Sequence, residues 1–373
     1  MIKRSHNAVG YPVNQNIDLK EFYKWYLDSG IHSIAMNNVG NPRKQSHYSM
    51  NTHEFENEVI DFFAPLYGFE PNNTWGIITF SGTDGNDHGV YFGVKYLLAK
   101  TKVRPVLYVS EDAHYSIKKL GDLQNLEMKL IPTDKMGHMV ISEFEKELNP
   151  NKPALIVIAM GTTFKGAIDD QVAIDAVLKK IKPPAIYRHL DAAIFGGFIP
   201  FTVHKEIIDR KKVYFDSIAV SGHKFFGFDE PIGIFITTRE VLDNQNPFKV
   251  PYLLDAVPTI TYSRSALGAL KFWWKVKKTG KAGFEKQAAA ILANANYLKT
   301  RLDEIKYPVW MNQYSNTVFF KRPSKWIMDK WDLAPDDDSR LGGELAHDIV
   351  MQHETKKTID QFIADLKNNN VKK

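Results

Sequence analysis

The sequence predicts an α/β fold: a large domain around a mostly parallel seven-stranded sheet, with a small C-terminal α+β domain. Three observations lead there. Short apolar runs alternate with amphipathic stretches of helical period through most of the chain, the rhythm of strands joined by crossover helices. From about residue 264 that rhythm gives way to long helical patterns followed by two strand-like segments. The length, 373 residues, suits two to three folding units at about 150 residues each. With 44% hydrophobic and 24% charged residues, the chain has ordinary core-forming material.

Residues 1–50 read as an N-terminal arm. A helix is expected over 53–67, with Phe55, Val59, Phe62, Phe63 and Leu66 on one face. A strand at 76–80 leads into a polar, glycine-containing turn and a helix carrying Val90, Val94, Leu97 and Leu98. Six further strands are expected at 106–109, 126–131, 155–160, 186–190, 217–220 and 232–236, with helical patterns between most of them. Then come a helical region with Leu267, Leu270, Phe272 and Trp273, and a second helix over 288–302. Strands at 307–311 and 317–321 and a helix at 358–366 close the chain. The division expected is an arm (1–50), a large domain (51–263) and a small domain (264–373).

Composition excludes several chemistries. With no cysteine there is no disulfide framework, thiolate nucleophile or Cys-ligated metal, and no metal site is assigned. The net charge is only +5 and the basic residues are scattered, which does not mark a nucleic-acid binder. The longest apolar run, 153–160, is far short of the about 20 residues that span a bilayer. The first residues lead into no apolar signal segment. A cytoplasmic protein that neither crosses nor binds membranes is the expectation.

Ligands of parallel sheets collect beyond the carboxyl ends of the strands. Five post-strand loops there are chemically loaded. Ser81-Gly82-Thr83-Asp84-Gly85-Asn86 opens a helix and offers backbone N–H groups to a phosphate, or is an ordinary turn capped by Ser81 or Thr83. In Ser110-Glu111-Asp112-Ala113-His114-Tyr115-Ser116, the imidazole of His114 is a base, a ligand, a stacking ring or merely structural. Thr162 and Thr163 hold a cofactor oxygen or a carboxylate, or satisfy their own turn. Asp191 ends a buried strand, where a carboxylate is expensive unless a cation pairs with it. Ala192 and Ala193 beside it leave room for a flat ring, and the bland alternative is a cap or a bridge to Arg188. In Ser221-Gly222-His223-Lys224-Phe225-Phe226-Gly227, a lysine follows an apolar strand directly. Desolvation would lower its pKa and make it a Schiff-base nucleophile, unless it only snorkels at the sheet edge. A phosphate cradle, a stacking imidazole, a buried carboxylate and a buried lysine together are what pyridoxal 5'-phosphate (PLP) requires.

The ordered motifs Val9-Gly10-Tyr11-Pro12-Val13-Asn14, 75–86, Asp112-Ala113-His114-Tyr115-Ser116, Gly161-Thr162-Thr163 with Gly166-Ala167-Ile168-Asp169-Asp170, Asp191-Ala192-Ala193 and Ser221-Gly222-His223-Lys224 carry a resemblance. The late segments Asn316-Thr317-Val318-Phe319-Phe320 and Leu345-Ala346-His347 extend it over almost the whole length. The chain resembles the PLP-dependent group II amino-acid decarboxylases, and among them the bacterial histidine decarboxylases and plant serine decarboxylases. The resemblance implies an aspartate-aminotransferase-type fold and a homodimer with active sites at the subunit interface. It implies that Lys224 holds PLP, that Asp191 pairs with the ring nitrogen, and that His114 stacks on the ring with Ala193 on the opposite face. Gly82, Thr83, Ser221 and His223 would hold the phosphate, with Thr162 and Thr163 lining the site. Tyr252 is a candidate proton donor to Cα on a loop that moves.

The reaction expected is decarboxylation of an L-amino acid to the amine and CO2, with histidine the first substrate. The alternatives are serine, another small or an aromatic amino acid, or a decarboxylation-dependent aldehyde synthesis. The substrate-side residues expected are Val13, His47, Tyr48, Ser263 and Ser265. Departures from the family lie on that side. Tyr262-Ser263-Arg264-Ser265-Ala266-Leu267 stands where relatives carry Gly-Ser-Arg-Asn-Gly-His, and Phe228-Asp229-Glu230-Pro231-Ile232-Gly233 where they carry Pro and Cys. Asp84 replaces a glutamate.

Overall fold

The computed structural model describes residues 1–245, 248–251 and 255–370. Its main sheet has seven strands: β1 (Thr74–Thr79), β2 (Val106–Ser110), β3 (Glu127–Ile131), β4 (Ala154–Ala159), β5 (Ile186–Asp191), β6 (Ser217–Ser221) and β7 (Gly233–Thr238). Their spatial order is β1-β7-β6-β5-β4-β2-β3. Strand β7 alone runs against the others, antiparallel to both β1 and β6. All remaining pairs are parallel. The mostly parallel sheet expected from the apolar runs is therefore the one that forms.

Strands β1, β2, β4, β6 and β7 are buried along their whole length. That is why they read as continuous apolar runs instead of alternations. In β4, Ile156 and Ile158 enter one apolar layer while Leu155 and Val157 enter the other, as a period of two demands. The exposed edge strand β3 carries Glu127 and Lys129, paired with Lys152 and Glu147, a charged edge that discourages pairing with other chains.

Labels for the helices used below are α1 (Lys20–Asp28), α2 (His53–Phe63), α3 (Gly82–Thr101), α4 (Tyr115–Leu123) and α5 (Ala266–Glu304). Helix α3 lies unusually close to the sheet. Gly82, Gly85, Gly89 and Gly93 form the stripe that faces it, and a Cβ on Gly89 would stand 2.2 Å from the ring of His189. Gly89→Ala should therefore overpack the joint and lower stability by roughly 1–3 kcal/mol. A chemical denaturation midpoint measures it, and an unchanged midpoint would mean the helix can shift away freely.

The C-terminal sheet has four antiparallel strands, β8 (Val309–Met311), β9 (Thr317–Lys321), β10 (Ala334–Asp338) and β11 (Gly343–Ile349), in the order β8-β9-β11-β10. Only β8 and β9 were expected as strands. Strand β10 reads Ala-Pro-Asp-Asp-Asp, with no apolar period, and is held by register pairing to β11 from Ala334↔His347 to Asp338↔Gly343. The two expected helices at 264–302 form one span, α5, broken at Gly280 (φ 61°, ψ 174°). The aromatic side chains of α1 are covered within the chain: Phe22 meets Trp274 at 5.8 Å and Trp25 stacks on it at 5.3 Å. These contacts cover part of the arm's aromatic surface within the chain itself.

Candidate active site

The carboxyl ends of β1, β2, β4, β5 and β6 and the start of β7 surround a cavity of about 280 Å³. Its lining includes Gly82, Thr83, His114, Thr162, Thr163, Asp191, Ala193, Ser221, His223 and Lys224. These ten residues, from five separate loops, are the ones the sequence assigns to the cofactor.

Each loop has a local reason for its shape. Ser81 Oγ accepts the Asp84 N–H (3.2 Å), and Asp84 Oδ2 accepts the Phe80 N–H (2.9 Å), a reciprocal cap that starts α3. The cap and the cradle are thus the same turn, with the first turn of α3 open to the cavity at Gly82 and Thr83. A Cβ on Gly82 would lie 2.3 Å from Ser221 Oγ, so only glycine lets the α3 N-terminus approach β6 this closely. A helix N-terminus with a hydroxyl beside it suits an anion such as phosphate.

His114 caps α4: its Nδ1 accepts the Ser116 N–H (3.3 Å) and faces Ser116 Oγ at 2.7 Å. Burial pushes its pKa down; the Asp191 charge opposes that and Lys224 adds to it. The ring therefore faces the cavity neutral, with its proton on Nε2. Thr162 Oγ1 accepts the Ala167 N–H (2.9 Å), so the turn role and the cavity position coexist in one residue. That loop is anchored by Lys165, a buried ammonium bridging Asp112 Oδ2 (3.0 Å) and Asp338 Oδ2 (2.6 Å). It ties the His114 loop, the threonine loop and the C-terminal sheet together.

Asp191 is buried, and one of its oxygens accepts the Ala193 N–H at 3.3 Å. Arg188 does not reach it: that guanidinium goes to Asp175 (2.7 Å) and the Tyr214 carbonyl (3.2 Å). Lys224 follows β6, where burial pushes its pKa down and the Asp191 charge partly restores it. Among the described residues neither Asp191 nor Lys224 forms an ion pair, although both face the same cavity. Such an arrangement sets a lysine whose ammonium form is disfavoured by burial opposite a carboxylate with no ion-pair partner among the described residues. An aldehyde-bearing cationic ring satisfies both, so the residues present fit PLP.

The N-terminal arm closes one side. The Asn14 N–H donates to the Lys224 carbonyl (3.3 Å) and Asn14 Nδ2 to the Phe225 carbonyl (3.1 Å), which brings Pro12 to the cavity wall. The ring nitrogens of His347 face the carbonyl oxygens of Phe164 (2.8 Å) and Gly10 (3.0 Å), joining arm, threonine loop and β11.

The substrate-side residues expected from sequence are not brought together here. Val13 follows Pro12 but does not line the cavity, and neither do His47, Tyr48, Ser263 or Ser265. Ser265 caps α5 through the Gly268 N–H (2.9 Å), Ser263 accepts from Asn37 (3.0 Å), and the Tyr48 hydroxyl donates to the Ala35 carbonyl (3.3 Å). Tyr252 lies outside the described residues. The sequence reading missed Asn86, Tyr115, Pro231, Thr317 and Ile349 as lining residues. The first two sat inside loops already singled out, whereas the last two come from a sheet whose position no local pattern reveals.

The chain matches the pyridoxal-dependent decarboxylase conserved domain over residues 94–321. It is 35% identical to histidine decarboxylase of Solanum lycopersicum over 98% of this chain and 85% of the relative. It is 33% identical to serine decarboxylase 1 of Oryza sativa subsp. japonica over 98% of this chain and 73% of that one. In fold it matches L-methionine decarboxylase from Streptomyces sp. 590 with a TM-score of 0.84 at 20% identity, covering 99% of this chain and 93% of that one.

Proposed function

The chain belongs to the family of pyridoxal-dependent decarboxylases, an amino-acid carboxy-lyase that uses PLP, and from that premise we propose histidine as its substrate and assign its residues their roles. One observation supports the roles above all: a half-buried lysine and a buried carboxylate, neither in an ion pair among the described residues, face one cavity with a helix N-terminus at its edge.

Bound PLP supplies the sink for the electron pair released when the Cα–carboxylate bond breaks. Lys224, whose ammonium form is disfavoured by burial, would hold the cofactor through its aldehyde carbon. Asp191 keeps the proton on the ring nitrogen by stabilising its charged form. His114 and Ala193 would pack against the ring, and Gly82, Thr83, Ser221 and His223 would hold the phosphate. Thr162 and Thr163 border the space left for the substrate. Tyr252 remains the proposed proton donor to Cα.

Histidine needs polar partners for both imidazole nitrogens, since a buried unpaired one costs on the order of 1–3 kcal/mol. The likeness to a histidine decarboxylase over 98% of this chain supports the histidine reading. Serine is the second reading, favoured by the equally full-length likeness to a serine decarboxylase. Steady-state kinetics across the standard amino acids should give histidine the highest kcat/KM. If serine exceeds it tenfold, about 1.4 kcal/mol in transition-state binding, the pocket reading is wrong while the decarboxylase stands.

The active unit we propose is a homodimer with the cavity near its interface, in a cytoplasmic setting. Supporting it are exposed aromatic side chains at the rim, Phe80 beside Ser81 and Tyr115 beside His114. A single-chain lining without the expected substrate residues also fits a site completed by a second subunit. Sedimentation should find activity in a species of twice 42.6 kDa, and an active monomer at that mass would refute the assignment.

A further inference from the structure

A buried chain of hydrogen bonds runs beneath the cavity, and none of the roles above uses it. Tyr187, His189 and Asp191 alternate along β5, so their side chains share one face of the strand. The Tyr187 hydroxyl donates to Ser217 Oγ (2.8 Å). Ser217 has a single hydroxyl proton, and its oxygen lies 2.8 Å from His189 Nδ1. With Tyr187 donating, that proton goes to Nδ1, and the imidazole proton must sit on Nε2, which faces Asn86 Oδ1 at 2.9 Å. Burial pushes the pKa of His189 down to about 3, so the ring stays neutral and the sense of the chain does not reverse with pH. Gly89 is what makes room for the ring.

The far end of this chain is at the cavity. Asn86 lines it and is 2% exposed, yet its amide nitrogen has no hydrogen-bond partner among the described residues. Its oxygen is occupied by His189, so the –NH2 is the end left for a ligand. The nitrogen is not sealed away from the cavity, so it is placed to donate to whatever occupies it.

We propose that His189 is a positioning residue for the cofactor, acting through Asn86: the relay holds the Asn86 amide so that its –NH2 donates to an anionic oxygen of PLP, on the phosphate or the ring. The proposal rests on the PLP reading of the cavity. It differs from that reading in placing part of the cofactor's grip two residues before Asp191, in a side chain that never touches the cofactor.

Equilibrium binding to the full-length apoprotein, followed by tryptophan fluorescence and cofactor absorbance, tests it without any assay of turnover. Asn86→Asp keeps the shape but replaces the donor by a carboxylate, and should weaken PLP binding at least 100-fold. His189→Phe should weaken it about tenfold, and His189→Gln, whose amide can still donate to Asn86, should recover part of the loss. Because His189 acts only through Asn86, His189→Phe combined with Asn86→Leu should lose no more than Asn86→Leu alone. Additive losses would overturn the relay. Repeating the titration with pyridoxal, which lacks the phosphate, separates the two acceptors. A penalty confined to PLP identifies the phosphate, and an equal penalty for both identifies the ring oxygen. If Asn86→Asp and His189→Phe bind PLP within twofold of the parent chain, the proposal is wrong. If the parent chain itself fails to bind PLP, the failure lies with the PLP reading instead. Should His189→Phe not fold, Asn86→Asp and Asn86→Leu still decide the donor role.

Discussion

Lys224→Ala should lose decarboxylation by on the order of 10⁴-fold or more, the scale expected when a covalent catalyst's nucleophile is removed. The physical reason lies at the end of β6. There the ammonium form is disfavoured by burial, and the Asp191 charge restores it only in part. A lysine so placed is a poor structural cation, since among the described residues it forms no ion pair. The variant should still fold, because the turn at 221–227 is held by backbone contacts: Gly222 N–H to the Ile232 carbonyl (2.7 Å) and Asn14 N–H to the carbonyl of residue 224 (3.3 Å). Single-turnover kinetics with saturating PLP reads the loss. Retention of more than a hundredth of the activity would mean another amine serves.

Asp191→Ala should leave PLP attached but cut kcat severely. A buried charge-assisted hydrogen bond is worth about 1.5–3 kcal/mol. That alone gives roughly 10–150-fold, before the loss of the protonated ring's capacity to accept electrons. Asp191→Asn has the size but not the charge, so it should be almost as slow, while Asp191→Glu should recover part of the rate. The effect should fall on kcat with PLP occupancy checked by absorbance. Near-normal turnover in the alanine variant would show that another group protonates the ring, and no other carboxylate lines the cavity among the described residues.

Much of this arrangement is legible in the sequence. Strands buried on both faces are continuous apolar runs, so β4 and β6 declare themselves, and the loops after them can be read for chemistry directly. The ten cofactor-side residues come from such loops and line one cavity. What stayed hidden has physical causes. Strand β10 is Ala-Pro-Asp-Asp-Asp, an edge strand defined by its partner's register and not by its own side chains. Thr317 and Ile349 reach the cavity from the C-terminal sheet by tertiary packing, which no local pattern encodes. His189 and Asn86 lay in plain view two residues before Asp191 and three after Thr83. A histidine inside a strand and an asparagine inside a helix give no sign of pairing until the close approach at Gly89 is known. The residues expected at the substrate side do not line the cavity within the single chain, and Ser265 there caps a helix.

Borohydride reduction of the PLP-loaded protein, followed by proteolysis and mass spectrometry of the peptides, tests the central claim most directly. The account predicts a single pyridoxyl label on the peptide containing Ser221-Gly222-His223-Lys224, carried by Lys224. A label on any other lysine, or none after verified cofactor binding, would contradict it and remove the basis for the roles given to Asp191, His114 and the α3 turn.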